Sequence, residues 1–224
     1  MREFLIQNCA GLIWMICAIE VVFALLLYKQ YKESKSTMVA CMLFIDAGLF
    51  LDALFIVLGA FVEGGLPEIV SRLRFITHGL LIPLMFPICG YGLKWKDSLM
   101  KGVWIFTAMM MVAGLAQALA IDLELKVVGS VLRHVSADTS PAWAEMISSI
   151  LSFGSVIPLM IVGIVVWVKQ KTPHLFLSGF LMFVFSALGP ATGNFDLIFF
   201  ISMFGEVLMT LFFYLYAKVC LNQK

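Results

Sequence analysis

Ionisable side chains lie inside the long apolar stretches of this chain, where hydrocarbon would exclude them. Asp52, Arg74, His78 and Glu206 all belong to segments dominated by apolar residues. An ionised side chain at the centre of a bilayer costs about 3 kcal/mol on insertion scales, so such residues normally pair, face water or become neutral. Carboxyl and imidazole groups in that setting bind ligands or exchange protons. These residues therefore predict a binding or proton-handling site.

The spacing of these residues predicts that they lie at one depth. At 1.5 Å of rise per residue, Asp52, His78 and Glu206 each lie roughly 14–15 Å from the predicted outer face. Arg74 is one turn above His78 on the same helix face, and Gln117 has a similar outer depth. We predict that these five side chains line a polar pocket that opens to the outside and binds a ligand.

Glu20 and Asp46 form a second, deeper pair. Both lie about 22–24 Å from the outer face, nearer the cytoplasm. Asp46 points about 120° away from Asp52, so the two aspartates belong to different clusters. If Glu20 and Asp46 touch, repulsion between like charges keeps one of them protonated, which would make an inner proton station. Two carboxyls that reach the interface or share a hydrogen bond are the alternative.

Seven apolar stretches must position these groups. The 224 residues are 62% hydrophobic and 13% charged, far more apolar than a soluble domain, and about 20 helical residues span the hydrocarbon. We predict an all-α, polytopic membrane protein, a seven-transmembrane-helix bundle that forms a single domain over residues 1–224. The predicted helices cover residues 4–28, 38–62, 69–93, 101–121, 145–168, 174–194 and 196–218.

Charge in the connections predicts the orientation of the bundle. One side carries ten of the fifteen basic residues, namely Lys29, Lys32, Lys35, Lys94, Lys96, Lys101, Lys169, Lys171, Lys218 and Lys224. The other side is acidic, and its exposed basic residues are predicted to be Arg2, Lys126 and Arg133. The positive-inside rule then places the N-terminus outside and the C-terminus in the cytoplasm. We expect a multi-pass protein of a bacterial-type cytoplasmic membrane.

The connection from Asp122 to Glu145 is the longest one. It mixes apolar residues with Lys126, Arg133 and His134, so it fits either an interfacial helix or a short hairpin folded over the outer mouth. The pair Gly129-Ser130 favours the hairpin.

The order of the helices also allows a repeat. The last three helices run in the same directions as the first three, and Tyr28-Lys29-Gln30 and Val168-Lys169-Gln170 end corresponding helices. Two parallel triplets joined by the fourth helix are one possible plan.

Several classes of site are excluded or disfavoured. A net charge of +1 gives no field that would favour nucleic acid. The cysteines form no CxxC pair, and His78 is the only core histidine, so we expect no metal site. Microbial rhodopsins share the layout of seven helices with an outer N-terminus, but they hold retinal on a lysine in the middle of the last helix, where this chain has Glu206. We therefore expect no cofactor.

Three functions fit these residues, and the sequence leaves open whether the protein is an enzyme. The leading hypothesis is binding of a small polar or amphipathic ligand for transport or sensing, with protonation of Glu206 or His78 coupled to occupancy; a sensor would need a protein partner. The first alternative is an enzyme that acts on a lipid or isoprenoid-like substrate from the membrane, with His78 as acid or base, joined by Glu206, and Arg74 holding a phosphate or carboxylate. The second is a structural subunit in which Arg74 pairs with Asp52 or Glu206, and the buried charges only hold the helices together.

Overall fold

Helices make up most of the chain in the computed structural model, which describes residues 2–191 and 195–222. They are α1 (Arg2–Gln7), α2 (Cys9–Ser34), α3 (Thr37–Leu58), α4 (Glu68–Leu81), α5 (Met85–Gly92), α6 (Asp97–Ala120), α7 (Ala142–Gln170), α8 (His174–Ala191) and α9 (Phe195–Asn222). The described part contains six helical spans that are long and apolar enough to cross a membrane, and α8 adds the shorter apolar segment His174–Leu188. These spans support the prediction of a helical, multi-pass membrane protein.

Some helix ends differ from the predicted ones. A break at Asn8 separates α1 from α2, and α2 runs on to Ser34 instead of ending at residue 28. The third apolar stretch is divided by a 3₁₀ turn, Ile82–Leu84, because Pro83 has no N–H for a regular helical hydrogen bond. The predicted end of the sixth helix, at residue 194, lies outside the described residues.

The helices pack in a ring that follows the order of the chain. α2 packs on α3, α3 on α4, and α4 and α5 on α6; α6 packs on α7, α7 on α8, and α8 on α9, which returns to α2. Additional contacts between α3 and α9 and between α5 and α7 cross the ring. A large apolar cluster that includes Met42, Met85 and Phe213 fills the interior at the end formed by α5 and the last half of α9.

A hairpin occupies the long connection between α6 and α7. Strands β1 (Leu123–Val128) and β2 (Val131–Ser136) pair antiparallel, with Leu123 opposite Ser136. Gly129 begins the two-residue turn with a φ of +62°, a conformation that a side chain would strain. The structure therefore confirms the hairpin and not the interfacial helix.

The hairpin packs on the end of α3 and sets where that helix stops. Val131 is fully buried against Ile56 and Val57. A side chain at Gly59 would collide with the backbone carbonyl of Leu132. Because β2 crosses there, α3 ends at Leu58, four residues earlier than predicted.

Two glutamines join the first three helical spans to the last three in matching ways. Gln30, near the end of α2, donates to the Tyr214 carbonyl of α9 over 3.4 Å. Gln170, at the end of α7, donates to the Gly92 carbonyl of α5 over 2.7 Å. Each glutamine thus lies near the end of one helix and bonds the backbone of a helix in the other half of the chain.

α4 and α6 cross at unusually short range. A Cβ atom on Gly79 would collide with the backbone of Gly114, and a Cβ atom on Gly114 would collide with the backbone of Gly79. The missing side chains let the two helix backbones touch, and this contact brings Gln117, one turn beyond Gly114, towards the polar residues of α4.

We predict that Gly114→Ala destabilises the protein by about 1–3 kcal/mol, because the added methyl group must push two backbones apart. Gly102→Ala on the same helix is the matched control, since a Cβ atom there has nothing within 4 Å. Unfolding of both variants in detergent, followed by circular dichroism, tests this. Equal stability of the two variants would contradict the close crossing.

Candidate functional site

An ion pair between α3 and α4 lies at the centre of the polar residues. Arg74 donates from Nε to Asp52 Oδ1 over 2.8 Å and from Nη2 to Asp52 Oδ2 over 3.5 Å. Both residues are buried, with 8% and 5% of their surface exposed. Two nearly parallel bonds orient the guanidinium as well as neutralising it. Of the two partners predicted for Arg74, the structure therefore shows Asp52.

His78 and Glu206 complete the same group. His78 Nδ1 lies 3.7 Å from Asp52 Oδ1, beyond hydrogen-bond range, and about a third of its side chain is accessible. Glu206 reaches the group from α9 and is 8% exposed. Asp52, Arg74, His78, Gln117 and Glu206 all line one cavity of about 250 Å³. The structure thus brings together the five side chains that the sequence analysis singled out.

Arg133 is a further residue of this cavity, and the prediction that it is an exposed loop residue is wrong. β2 carries it over the mouth, where its Nε and Nη1 atoms are buried and its side chain lines the cavity beside Arg74. Burial, reinforced by the positive charge of Arg74, lowers the pKa of Arg133 to about 9 from its usual 12.5. The site therefore contains a second guanidinium that has lost much of its hydration.

Contacts from the hairpin hold it over the cavity. The Arg74 Nη1 atom donates to the His134 carbonyl over 3.4 Å, and His134 Nδ1 lies 3.0 Å from the Ser71 hydroxyl on α4. Both contacts involve the helix that supplies Arg74. The hairpin and the ion pair are therefore one connected unit, and the alternation of side chains along β2 is what turns Arg133 inward.

Arg72 lies two residues from Arg74 but has a different role. It donates to the carbonyls of Ala118 and Ile121, over 3.0 and 2.9 Å, at the end of α6, and it pairs with Glu68. These bonds satisfy carbonyls that the helix end leaves without a partner. Arg72 thus fastens α6 to α4 and helps to position Gln117.

Serine hydroxyls form another part of the site that the sequence analysis missed. Ser148 and Ser152 on α7 and Ser202 on α9 line the cavity. Two further serines, Ser155 and Ser186, line a neighbouring cavity instead. An isolated serine in an apolar helix does not indicate which face of the helix is polar. The spacing of four residues between Ser148 and Ser152, however, indicates that these two share a face.

The deeper pair, Glu20 and Asp46, is separate from the cavity. Both residues are at most 1% exposed, and no donor among the residues with described side chains bonds their four carboxyl oxygens. The two carboxyl groups lie within hydrogen-bonding reach of each other, with Thr210 beside them. A hydrogen bond between two carboxyls needs a proton on one of them, because a carboxylate has no donor. A direct hydrogen bond between these two groups therefore needs one of them to be protonated.

Thr210 connects the two polar clusters through α9. It lies one turn after Glu206, and its hydroxyl donates to the Glu206 carbonyl over 3.2 Å. The cavity and the carboxyl pair are thus separated by one helical turn.

A search of the described residues for three or more His, Cys, Asp or Glu side chains that could hold a metal finds no such group. The chain matches no protein-family model, and no curated protein sequence is significantly similar to it.

We predict that Asp52→Asn destabilises the protein by about 3–5 kcal/mol, because it leaves the buried Arg74 guanidinium without its counter-charge. Adding Arg74→Gln to Asp52→Asn should restore part of that loss. Glu68→Gln, which breaks the partly exposed pair with Arg72, should cost less than about 1 kcal/mol. Unfolding in detergent measures these three variants and Arg74→Gln alone, and additive effects of Asp52→Asn and Arg74→Gln would contradict the coupling.

We predict that infrared spectroscopy at neutral pH shows the carbonyl stretch of a protonated carboxyl that disappears when Glu20→Gln and Asp46→Asn are combined. A proton on one of the two carboxyls is the physical reason, and neutral amides should preserve the fold because they supply the missing donor. Glu63→Gln, in the exposed turn after α3, is the control and should leave the band unchanged. A double variant that keeps the whole band would show that the pair holds no proton.

Proposed function

We propose that this protein binds a small polar or amphipathic ligand in the cavity formed by Asp52, Arg74, His78, Gln117, Arg133 and Glu206, for transport or sensing across the membrane. The observation that carries the proposal is the convergence of these side chains, from α3, α4, α6, β2 and α9, on one cavity. Packing alone would not require five separate elements to direct polar groups at the same space, since burying each group costs free energy.

The chemistry of the cavity supports recognition of a charged or strongly polar group. It offers two guanidinium groups, an imidazole and an amide as donors, and two carboxyl groups as acceptors or proton carriers. Arg74 is engaged by Asp52, and Arg133 lines the same cavity. A low dielectric strengthens each of these interactions relative to water.

Coupling of ligand occupancy to protonation belongs to the proposal. Glu206 and His78 share the cavity with Arg74 and Arg133, so a charged ligand changes the electrostatic environment of both groups. Thr210 lies one turn after Glu206 on α9 and beside the Glu20–Asp46 pair. Protons that leave Glu206 would have this pair as the next station towards the opposite end of the bundle.

The position of the cavity between the two helical triplets favours transport. Asp52 and Arg74 come from the first triplet, whereas Ser148 and Glu206 come from the second. Transporters built from parallel repeats hold their substrates at such an interface, and relative motion of the repeats then opens either side. A sensor with the same cavity would signal through a protein partner.

We further propose that α8 also crosses the membrane, which gives seven transmembrane helices, with the hairpin end outside. The turns at the opposite end contain Lys35, Lys94 and Lys171, all with positive φ. This basic end would face the cytoplasm of a bacterial-type cell, and membrane lipid would surround the bundle.

A membrane-embedded enzyme is the second candidate, and one observation favours it. The accessible His78 imidazole faces the cavity with Asp52 3.7 Å away, a geometry that can tighten when substrate binds. His78 would act as the acid or base and the guanidinium groups would hold a phosphate or carboxylate. Turnover of a lipid substrate that His78→Ala abolishes would establish this candidate.

We predict that Arg133→Gln weakens binding of an anionic ligand at least tenfold, because it removes a positive charge from the cavity, and that Glu206→Gln weakens binding of a cationic ligand as much, because it removes a carboxyl group. Sodium acetate, sodium phosphate and choline chloride are the probes, and thermal stabilisation of the detergent-solubilised protein measures binding. The control is Glu68→Gln, which lies outside the cavity and should bind as the native protein does.

The release or uptake of protons on binding, measured in weakly buffered solution, tests the coupling. Binding that is unaffected by Glu206→Gln and His78→Ala, with only the stability lowered, would contradict the proposal. The buried charges would then serve only to hold the helices together.

A further inference from the structure

A second cavity adjoins the polar one on the side away from the hairpin. It has a volume of about 310 Å³, and six residues line both cavities, namely His78, Ile82, Ser148, Ser152, Ser202 and Glu206. These residues form a common boundary between the two cavities.

The second cavity is mainly apolar. Its walls are formed by Leu49, Met85, Phe153, Val156, Phe183 and Met209, and serine hydroxyls contribute the polar part. One of these hydroxyls, on Ser155, donates to the Leu151 carbonyl and is already satisfied. Methionine and phenylalanine side chains that adapt their shape favour a flexible apolar group.

On α3, α7 and α9, a polar residue of the first cavity is followed by an apolar residue of the second cavity in the direction away from the hairpin. Moving away from the hairpin, Asp52 is followed by Leu49 on α3, and Glu206 is followed by Met209 on α9. Ser152 is followed by Val156 on α7. The joined cavities therefore have a charged end beneath the hairpin and an apolar end towards the interior of the bundle, the same order as the head and tail of a lipid in a leaflet.

Charge is distributed unequally within the polar end. Arg133 and the ion-paired Arg74 line only the polar cavity, whereas Glu206 lies at the boundary with the apolar one. The part beneath the hairpin thus has two guanidinium groups and one carboxylate, Asp52. Guanidinium groups match the planar geometry of carboxylates and the oxygens of phosphates.

We propose that the joined cavities bind a single-chain amphiphile with an acidic head. The head, a carboxylate or a phosphate monoester, lies beside Arg133, and the alkyl chain passes His78 and Glu206 into the apolar cavity. Ser149 and Phe153 line the apolar cavity and are exposed on α7, which gives the chain a lateral entry from the membrane. This inference rests on the proposed function of the polar cavity and names its ligand class.

A chain-length series tests the inference. Butyl, hexyl and octyl phosphate are titrated into the protein held in amphipol, with empty amphipol as the blank. Each methylene moved from water into the apolar cavity should raise the affinity about fourfold until the cavity is full. Octanoate in a parallel titration shows whether a carboxylate head replaces the phosphate.

Val156→Phe is the decisive variant, because Val156 is buried and lines only the apolar cavity. Val156→Phe should remove the increase in affinity from hexyl to octyl phosphate and leave the affinity for butyl phosphate unchanged. Ile157→Phe is the matched control, since Ile157 is 44% exposed on the same helix and does not line the cavity. Ile157→Phe should leave the rise in affinity from butyl to octyl phosphate unchanged.

A photoreactive diazirine at the end of an octyl phosphate chain gives a second measurement on the unaltered protein, should Val156→Phe fail to fold. Labelling of Met182, Phe183 or Met209 supports the inference. Affinity that does not rise with chain length, labelling confined to the lipid-facing surface, or equal binding of octyl glucoside overturns it. If acetate or phosphate still binds in an Arg133-dependent way, the amphiphile proposal fails and the proposed function stands. If no probe binds, the amphiphile proposal and the proposed function both fail.

Discussion

The ion pair between Arg74 and Asp52 is the interaction on which the rest of the site depends. An isolated charge in the interior of a bundle is too costly to keep, so the 2.8 Å contact is what allows α3 and α4 to carry these groups at all. The pair also fixes the angle at which α4 presents His78 to the cavity. Its third contact, from Arg74 to the His134 carbonyl, extends this order to the hairpin.

The hairpin converts a polar seam between helices into a covered cavity. β2 stops α3 at Leu58, buries Val131 against that helix and turns Arg133 inward, all as results of one register. Burial beneath the hairpin lowers the pKa of Arg133 to about 9. Beneath it, the charged side chains line the first cavity and mainly apolar side chains line the second, so the two cavities together are amphipathic. This gradient is the physical basis for both proposals on the ligand.

Local features of the sequence determine much of the architecture, so it could be predicted from the sequence. The lengths of the apolar stretches, Gly129-Ser130 in the long connection and the positions of Asp52, Arg74, His78, Gln117 and Glu206 all reflect constraints that act within a few residues or along one helix. Charges in apolar helices must face one another or a cavity, so their convergence was predictable, although nothing in a single helix names the partner. From the sequence, Arg74 had two candidate partners, Asp52 and Glu206, and the packing of α4 on α3 pairs it with Asp52.

The sequence by itself determined a bundle of apolar helices that must bury a few polar groups and a connection that can turn back at Gly129. Only the tertiary structure decided that Arg133 points inward, that Ser148, Ser152 and Ser202 border the site, and that Glu20 and Asp46 touch. The reason is that hydropathy and period are properties of one segment, whereas these contacts depend on how segments distant in the chain cross. Gly79 and Gly114 illustrate this, because the two helix backbones can touch only where the two glycines face each other.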